Sequence, residues 1–165
     1  METLLPVAAR IGALLKERGE TVAISESSAG GLVSAALLAV PGASAFFMGG
    51  AVVYTRRAGA SLLQITSADM AGIRSASEPY AMLLARTMRT RLGATWGLTE
   101  TGAAGPTGNR YGDAAGHSCI AVCGPAANAG MIETAITIET GRGERLENMR
   151  AFSVAALDLL EKSLA

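Results

Sequence analysis

The chain has 165 residues, the length of one domain, and a chain of that size buries most of its apolar surface when it folds. Half of the residues are hydrophobic and 17% are charged, which excludes a disordered protein. Basic and acidic residues each number 14, and together with the few aromatic residues this balance argues against nucleic acid as a partner.

Hydrophobic periodicity divides the chain into helices and strands. The first helix has apolar residues at helical spacing from Leu4 onward and ends at Gly19. A later helix has Ser77 at its cap and Pro79 in its first turn, and it ends at Gly93. In chain order, we predict helix Leu4–Arg18, strand Thr21–Ser25, helix Gly30–Ala39, strand Phe46–Thr55, helix Ala58–Ile65, helix Thr66–Ile73, helix Ser77–Leu92, strand 94–100, strand 118–124, strand 131–139 and helix Glu144–Leu164.

Some of these segments contain residues that indicate local irregularity. In the second strand, Gly49 and Gly50 indicate a bulge or a close approach of another segment. The short helix Thr66–Ile73 would begin at a cap formed by Thr66 or Ser67. A long glycine-rich loop is predicted over Thr101–His117, and a turn around Pro125–Gly130 joins the last two strands.

The order of the elements predicts the fold class. Alternating strands and helices favour a single α/β domain over residues 1–165, with a mixed, mainly parallel sheet flanked by helices on both faces. The adjacent strands at 118–124 and 131–139 predict an antiparallel hairpin at one edge of that sheet.

The cysteines and the apolar runs bear on the environment of the protein. Cys119 and Cys123 lie on one face of a predicted strand, too far apart for an easy disulfide, so we interpret them as small buried hydrophobes. With a single histidine in the chain, no metal site is expected. The start of the chain lacks the features of a signal peptide, and the apolar runs are too short for a membrane span, so we expect a cytoplasmic protein with no membrane partner.

The turn ESSAGG, Glu26–Gly31, joins the first predicted strand to a helix. In α/β sheets, ligands bind outside the carboxyl ends of the strands, and a turn that opens a helix presents backbone N–H groups to an anion or an oxyanion. Ser27 or Ser28 would then supply a nucleophile. A helix cap with a tight turn explains the same residues without any catalytic role.

Two further segments are candidates for ligand binding. The loop TGAAGPTG, Thr101–Gly108, follows a strand, and its glycines permit a close approach of backbone to a ligand, although an ordinary loop has the same composition. It matches neither a Walker A motif nor the GxGxxG pattern. Arg56 and Arg57 would grip a phosphate or form a solvated surface, and His117 is interpreted as a turn or strand-end residue.

Six short segments follow one another in the order and at the spacing of a known set of motifs. They are SESSAGG at 25–31, PGASAFFMGGAVVYTRRAG at 41–59, ASEP at 76–79, TGAAGP at 101–106, AAGHS at 114–118 and GER at 143–145. This series resembles the CinA C-terminal family, the nicotinamide-nucleotide amidases, across nearly the whole chain. The family's fold is α/β with helices flanking a sheet, which agrees with the pattern above.

The resemblance implies an enzyme that hydrolyses the carboxamide of nicotinamide mononucleotide (NMN) to nicotinate mononucleotide and ammonia, with no metal or other cofactor. It implies that the catalytic residues are Ser27, as the nucleophile, and Tyr54. The implied substrate-binding residues are Gly30, Gly31, Ser44, Thr101, Gly102, Gly105 and Arg145. Arg145 would anchor the phosphate, and Ser27, Tyr54, Thr101 and Arg145 would line one cleft. The expected partners are a small nucleotide ligand and a second copy of the chain in a homo-oligomer, a dimer.

The sequence departs from the family pattern at the residue that would activate the serine. The family's lysine falls on Gly59, and a serine hydroxyl is a weak nucleophile unless a base lies within hydrogen-bond reach. Arg56 and Arg57 cannot replace that lysine because a guanidinium stays protonated.

Further departures surround the same motifs. Ser28-Ala29 replaces the family's Cys-Thr, Gly49-Gly50 replaces its Arg-Gly, and Glu100 would act as an alternative base or repel a nucleotide phosphate. Three hypotheses remain open: an active amidase with a rearranged base, an inactive paralogue that binds a nucleotide or other small ligand, and a relative that hydrolyses another small molecule.

Overall fold

In the computed structural model, which describes residues 1–126 and 129–165, five strands form one mixed sheet and helices cover both of its faces. The helices are α1 (Leu5–Arg18), α2 (Leu32–Leu38), α3 (Arg56–Leu63), α4 (Glu78–Leu92) and α5 (Arg145–Leu164). The strands are β1 (Val22–Glu26), β2 (Phe47–Val52), β3 (Trp96–Ala103), β4 (His117–Pro125) and β5 (Met131–Glu139).

The sheet has the strand order β2-β1-β3-β4-β5. β1 pairs in parallel with β2 on one side and with β3 on the other, and the pairs β3–β4 and β4–β5 are antiparallel. The predicted α/β fold and the antiparallel hairpin at one edge are confirmed, with the parallel pairs confined to the β2-β1-β3 side. Residues 127 and 128 of the turn predicted between β4 and β5 lie outside the described residues.

Apolar side chains fill both sides of the sheet. On one face, α1, α2 and α5 pack over a core that includes Phe46, Trp96 and Phe152. On the other face, α4 covers β1, β3 and β4, and its residues Tyr80 and Leu84 are buried there. The central strands β1 and β3 are therefore buried on both faces, as expected for strands covered by two layers of helices.

The helix predicted over Thr66–Ile73 is wrong, because these residues form turns. Thr66 and Asp69 do make the reciprocal hydrogen bonds of a capping box: the Thr66 N–H donates to Asp69 Oδ2 at 2.8 Å, and the Asp69 N–H donates to Thr66 Oγ1 at 3.2 Å. The backbone then reaches Gly72 at a φ of +73°, which turns it out of the helical path before a further turn is added.

The glycine-rich loop is shorter than predicted. β3 continues to Ala103, so Thr101 and Gly102 pair with Cys119 and Ser118 of β4 and belong to the sheet. The irregularity predicted at Gly49-Gly50 is confirmed, since the β1–β2 register shifts beside it. A Cβ at Gly50 would also lie 2.4 Å from the Ser34 hydroxyl oxygen.

Several smaller predictions are confirmed. Ser77 caps α4 by accepting a hydrogen bond from the Tyr80 N–H, and Gly93 ends that helix in the left-handed conformation. Cys119 and Cys123 are buried and free. Within the described ranges, each helix is too short or too polar to cross a bilayer.

Candidate functional site

The parallel strands bring three chain segments to one edge of the sheet. β1, β2 and β3 run in the same direction, so the segments after Glu26, Val52 and Ala103 leave the sheet at the same edge. This carboxyl edge is the position where α/β sheets bind ligands. β5 is antiparallel to β4 and also ends there, which brings the start of α5 at Arg145 to the same edge.

A cavity of about 520 Å³, which we call the serine cavity, opens at this edge. Its volume falls in the range of small-molecule sites. The side chains that bear on its chemistry are Ser27, Tyr54, Arg56, Thr101, Arg110 and Tyr111. Three residues expected to share a cleft, Ser27, Tyr54 and Thr101, are therefore brought together.

A second cavity of about 270 Å³, the loop cavity, adjoins the serine cavity and shares Tyr54, Gly102 and Asn109 with it. Arg145 and Ser28 line this second cavity. The structure therefore places Arg145 next to, and not within, the cavity that contains Ser27. Ser28 is 3% exposed, and its hydroxyl has no hydrogen-bond partner among the described residues.

Arg145 holds the wall between the two cavities. Its Nη1 donates to the Gly105 carbonyl oxygen at 2.8 Å, and its Nη2 donates to the Tyr54 hydroxyl at 3.2 Å. Gly105 adopts a φ of +102°, and a Cβ there would lie 2.6 Å from the Gly143 carbonyl oxygen, so the loop requires glycine at this point. The guanidinium thus fixes the position of Tyr54 relative to the loop.

The turn that carries Ser27 is held by two buried carboxylates. Glu100 Oε2 accepts the N–H of Ser27 at 3.1 Å and of Ala29 at 2.7 Å. Both carboxylates are 1% exposed, and the Glu26 oxygens accept the N–H groups of Gly31, Val33 and Ser34. The expectation that this turn and the helix it opens present free N–H groups to an oxyanion is wrong for these five amides, three in the turn and two in α2, because side chains of the protein itself occupy them.

Glu100 faces the turn and the strand beside it. Its second oxygen, Oε1, accepts a hydrogen bond from the Ser118 hydroxyl at 2.9 Å, and Glu100 does not line either cavity at this edge. Burial raises the pKa of this carboxyl, and the hydrogen bonds from Ala29, Ser118 and Ser27 offset only part of that rise. The geometry therefore gives Glu100 a structural role in fixing the Ser27 turn.

The position of the family's lysine is occupied by Gly59 in α3. Gly59 is buried and lines a third cavity of about 410 Å³, which shares Arg56 and Tyr80 with the serine cavity. A Cβ built on Gly59 would be 3.6 Å from both the Tyr80 hydroxyl oxygen and Val53 Cγ1, which is ordinary contact distance. The backbone thus has room for a Cβ at this position, in contact with Tyr80 and Val53, which also line the serine cavity.

Of the remaining predicted site residues, some lie at the carboxyl edge of the sheet and one does not. Gly30 and Gly31 lie in the Ser27 turn, both with positive φ, and Gly102 lines both cavities. Ser44 belongs to a short 3₁₀ helix that precedes β2. It is exposed and lies at the amino end of the parallel strands, so the structure does not bring it to the other residues.

Sequence reasoning did not single out the loop residues 109–113, which contribute Asn109, Arg110 and Tyr111 to the serine cavity. Asn109 Oδ1 accepts the N–H groups of Tyr111 and Asp113, and the Asp113 carboxylate accepts two hydrogen bonds from Arg74, at 2.6 and 2.9 Å. The local signal for this turn is an Asn four residues before an Asp, with Gly112 between them. The link to Arg74 is long-range and leaves no local signal.

These features define an α/β domain with a serine-bearing turn at the carboxyl edge of a mixed sheet. The chain belongs to the CinA C-terminal domain family, whose family model matches residues 4–164. A CinA-like protein from Synechococcus elongatus is 36% identical over 159 residues, and one from Gloeobacter violaceus is 35% identical over 159 residues. These alignments cover 96% of this chain but only 37% and 36% of the relatives, so the chain spans little more than a third of their length.

Solved structures have the same fold. A competence-damaged protein (CinA) superfamily protein from Klebsiella pneumoniae superposes with a TM-score of 0.86 at 24% identity, and 98% of this chain and 97% of that chain are covered. A competence/damage inducible protein from Agrobacterium tumefaciens superposes with a TM-score of 0.85 at 26% identity, with 98% and 96% covered. The predicted family and fold are confirmed by these comparisons.

Proposed function

We propose that this chain is a serine amidase that hydrolyses the carboxamide of a nicotinamide nucleotide such as NMN, at a rate limited by the absence of a lysine at position 59. One observation carries the proposal: Ser27, the counterpart of the family's nucleophile, lines a cavity of about 520 Å³ together with Tyr54 and Thr101. The family's motifs in this sequence supply the reaction type, and the cavity supplies the space for a nucleotide-sized ligand.

The chemistry has two steps. The Ser27 oxygen attacks the carboxamide carbon, the C–N bond breaks, and the hydroxyl proton leaves with the amine as ammonia. Water then cleaves the ester and releases the carboxylate product. Since Glu26 and Glu100 occupy three amides of the turn and two at the start of α2, the hydroxyl groups of Tyr54 and Thr101 are the proposed donors to the developing oxyanion.

The test is ammonia release from NMN by the wild-type chain and by the variants Ser27→Ala and Ser28→Ala. We expect slow turnover in the wild type, background release in Ser27→Ala, and wild-type release in Ser28→Ala. In an enzyme with both a nucleophile and a base, the two groups act together, and removing either one lowers the rate by most of their joint contribution. Since the base is already missing here, we expect the loss of rate on removing Ser27 to be smaller. Equal release by wild type and Ser27→Ala would rule out the proposed nucleophile.

Gly59 favours a second candidate function, an inactive paralogue that binds a nucleotide without hydrolysing it. With glycine at this position, the local motif offers no side chain that can take the serine proton. Binding of NMN by the wild-type chain with no turnover above background would select this alternative.

Two further expectations belong to the proposal. We propose a cytoplasmic location and a homodimer, and sedimentation equilibrium of the purified chain tests the second. A monomer at all concentrations examined would exclude the dimer.

A further inference from the structure

One wall of the serine cavity is cationic. Arg56 and Arg110 line it, and within the described parts of the chain none of the side chains that line it is acidic. The carboxylate of the same loop, Asp113, is already bound by Arg74 through two hydrogen bonds. Although the chain has zero net charge, this cavity is lined by two positive side chains.

The two arginines act on the same side chain. The Arg110 Nη2 donates to the Tyr111 hydroxyl at 3.0 Å, and its guanidinium lies 5.1 Å from the Tyr111 ring centroid. Contacts with Ser75 and then Arg110 lower the pKa of Tyr111, and the charges of Arg110 and Arg56 lower it further. Arg56 and Arg110, which are far apart in sequence, thus line the same cavity as Tyr111.

The loop that carries Arg110 is built to hold its position. Asn109 and Asp113 close the turn through backbone and side-chain hydrogen bonds, and Arg74 ties Asp113 to the segment before α4. Arg110 is exposed and lies between these anchors. A fixed backbone lowers the entropy that the guanidinium loses when it binds a ligand.

The lining of the serine cavity also includes a helix N-terminus. α3 begins at Arg56, with Thr55 as its cap, and both residues line the cavity. The first N–H groups of a helix and its dipole favour an anion at this end. Guanidinium groups bind the oxygens of a phosphate dianion through paired N–H groups, and both arginines line this cavity.

We propose that Arg56 and Arg110, with the Tyr111 hydroxyl, form the subsite that binds the phosphate monoester of a small-molecule ligand. The subsite deepens the proposed function, on which it rests for the placement of the carboxamide at Ser27. The resemblance to the family assigned the phosphate to Arg145 and gave neither Arg56 nor Arg110 that role. Arg145, which the sequence suggested for this role, instead holds Tyr54 and Gly105.

The test is isothermal titration of the full chain carrying Ser27→Ala, so that the ligand is not consumed. The probes are NMN, nicotinamide riboside, which lacks only the phosphate, and inorganic phosphate. We expect NMN to bind about ten- to a hundredfold more tightly than the riboside, since charge-assisted contacts are lost with the phosphate. Arg110→Gln and Arg56→Gln should each remove most of that preference. Arg57→Gln is the matched control, because Arg57 lines the third cavity and not the serine cavity, and it should retain the preference.

The outcomes separate the subsite from the catalytic proposal. A preference for NMN that is lost with Arg56 or Arg110 supports the subsite even if the wild-type chain shows no turnover. Equal binding of NMN and the riboside, or a preference unaffected by Arg56→Gln and Arg110→Gln, overturns the subsite even if NMN is hydrolysed. Binding of inorganic phosphate that survives both substitutions, or no binding of any probe, also overturns it.

Discussion

Replacing Gly59 by lysine is expected to raise the rate of ammonia release from NMN by about 10²–10⁴-fold, the usual contribution of a positioned general base. A Cβ at this position meets the Tyr80 hydroxyl and Val53 at 3.6 Å, so the new side chain begins without a clash. It would extend from α3 beside Tyr80, which lines both the third cavity and the serine cavity. Glycine is also a poor helix former, so the substitution does not weaken α3.

The neighbours of position 59 favour a lysine that acts as a base. Arg56 and Arg57 lie within one turn of the helix, and like charges lower the pKa of an amine, as does burial. A lysine with a lowered pKa is deprotonated in part near neutral pH and accepts the Ser27 proton.

Two control variants separate chemistry from packing. Gly59→Met fills the same space with an unbranched side chain that cannot accept a proton, and it should leave the rate at the wild-type level. Adding Ser27→Ala to Gly59→Lys should return the rate to background. A Gly59→Lys variant that folds, binds NMN and shows no gain would mean that the lysine cannot reach the serine, and the explanation of slow turnover would be wrong.

Replacing Glu100 by alanine is expected to lower the free energy of unfolding by at least about 2 kcal/mol. The buried N–H groups of Ser27 and Ala29 lose their acceptor, and each orphaned donor costs about 1–3 kcal/mol. If the proposed amidase activity is present, we also expect it to fall, because the turn that carries Ser27, the proposed nucleophile, loses the group that fixes it. Urea unfolding followed by circular dichroism measures the first effect, and the NMN assay measures the second.

Glu100→Gln should behave differently from Glu100→Ala. Both backbone N–H groups bind Oε2, so a carboxamide oxygen can accept them, while the amide nitrogen donates to Ser118 Oγ. At Glu26 each oxygen accepts at least one backbone N–H, so Glu26→Gln must place an amide N–H against a donor and should destabilise the fold. Glu100→Gln and Glu26→Gln are therefore a matched pair: the first should keep the backbone hydrogen bonds and the second should lose at least one.

The effect of Glu100→Gln on stability should also depend on pH in a defined direction. Burial raises the pKa of Glu100 above its ordinary value of 4.5, so the folded state binds the proton more tightly than the unfolded state. The stability that Glu100 contributes through this proton is fully present below pH 4.5 and is lost as the pH rises through the raised pKa. Glutamine does not titrate, so the stability of Glu100→Gln relative to wild type should increase with pH above 4.5. Turnover abolished in a stable Glu100→Gln variant would identify Glu100 as the base and contradict the structural role.

The sequence predicted the fold because its signals are local. The apolar spacing of α1, the Ser77 cap and Gly93 of α4, and the buried runs of β1 and β3 all act within a few residues. The same locality explains the wrong helix at Thr66–Ile73: the capping residues are present, but Gly72 ends the segment before it gains helical turns.

The candidate site was only partly predictable because its decisive contacts are long-range. Ser27, Tyr54 and Thr101 follow strands, and the parallel order of those strands brings them together. No local sequence pattern indicates that Glu100 accepts the N–H groups of the Ser27 turn or that Arg74 hydrogen-bonds to Asp113. The sequence therefore indicated only that Arg110 lies in a loop, although Arg110 lines the serine cavity.

The bonds from Glu100 to the Ser27 turn also bear on when the site forms and how it opens. They join residues 73 and 71 positions apart, so the turn gains its full set of acceptors only after β3 has docked beside β1. Although Ser27 lies on a surface turn, its amide hydrogen and that of Ala29 should exchange with solvent as slowly as those of the central strands, through global unfolding. Hydrogen exchange at these two amides would therefore report the integrity of the whole sheet, because the Ser27 turn keeps these acceptors only while β1 and β3 stay paired.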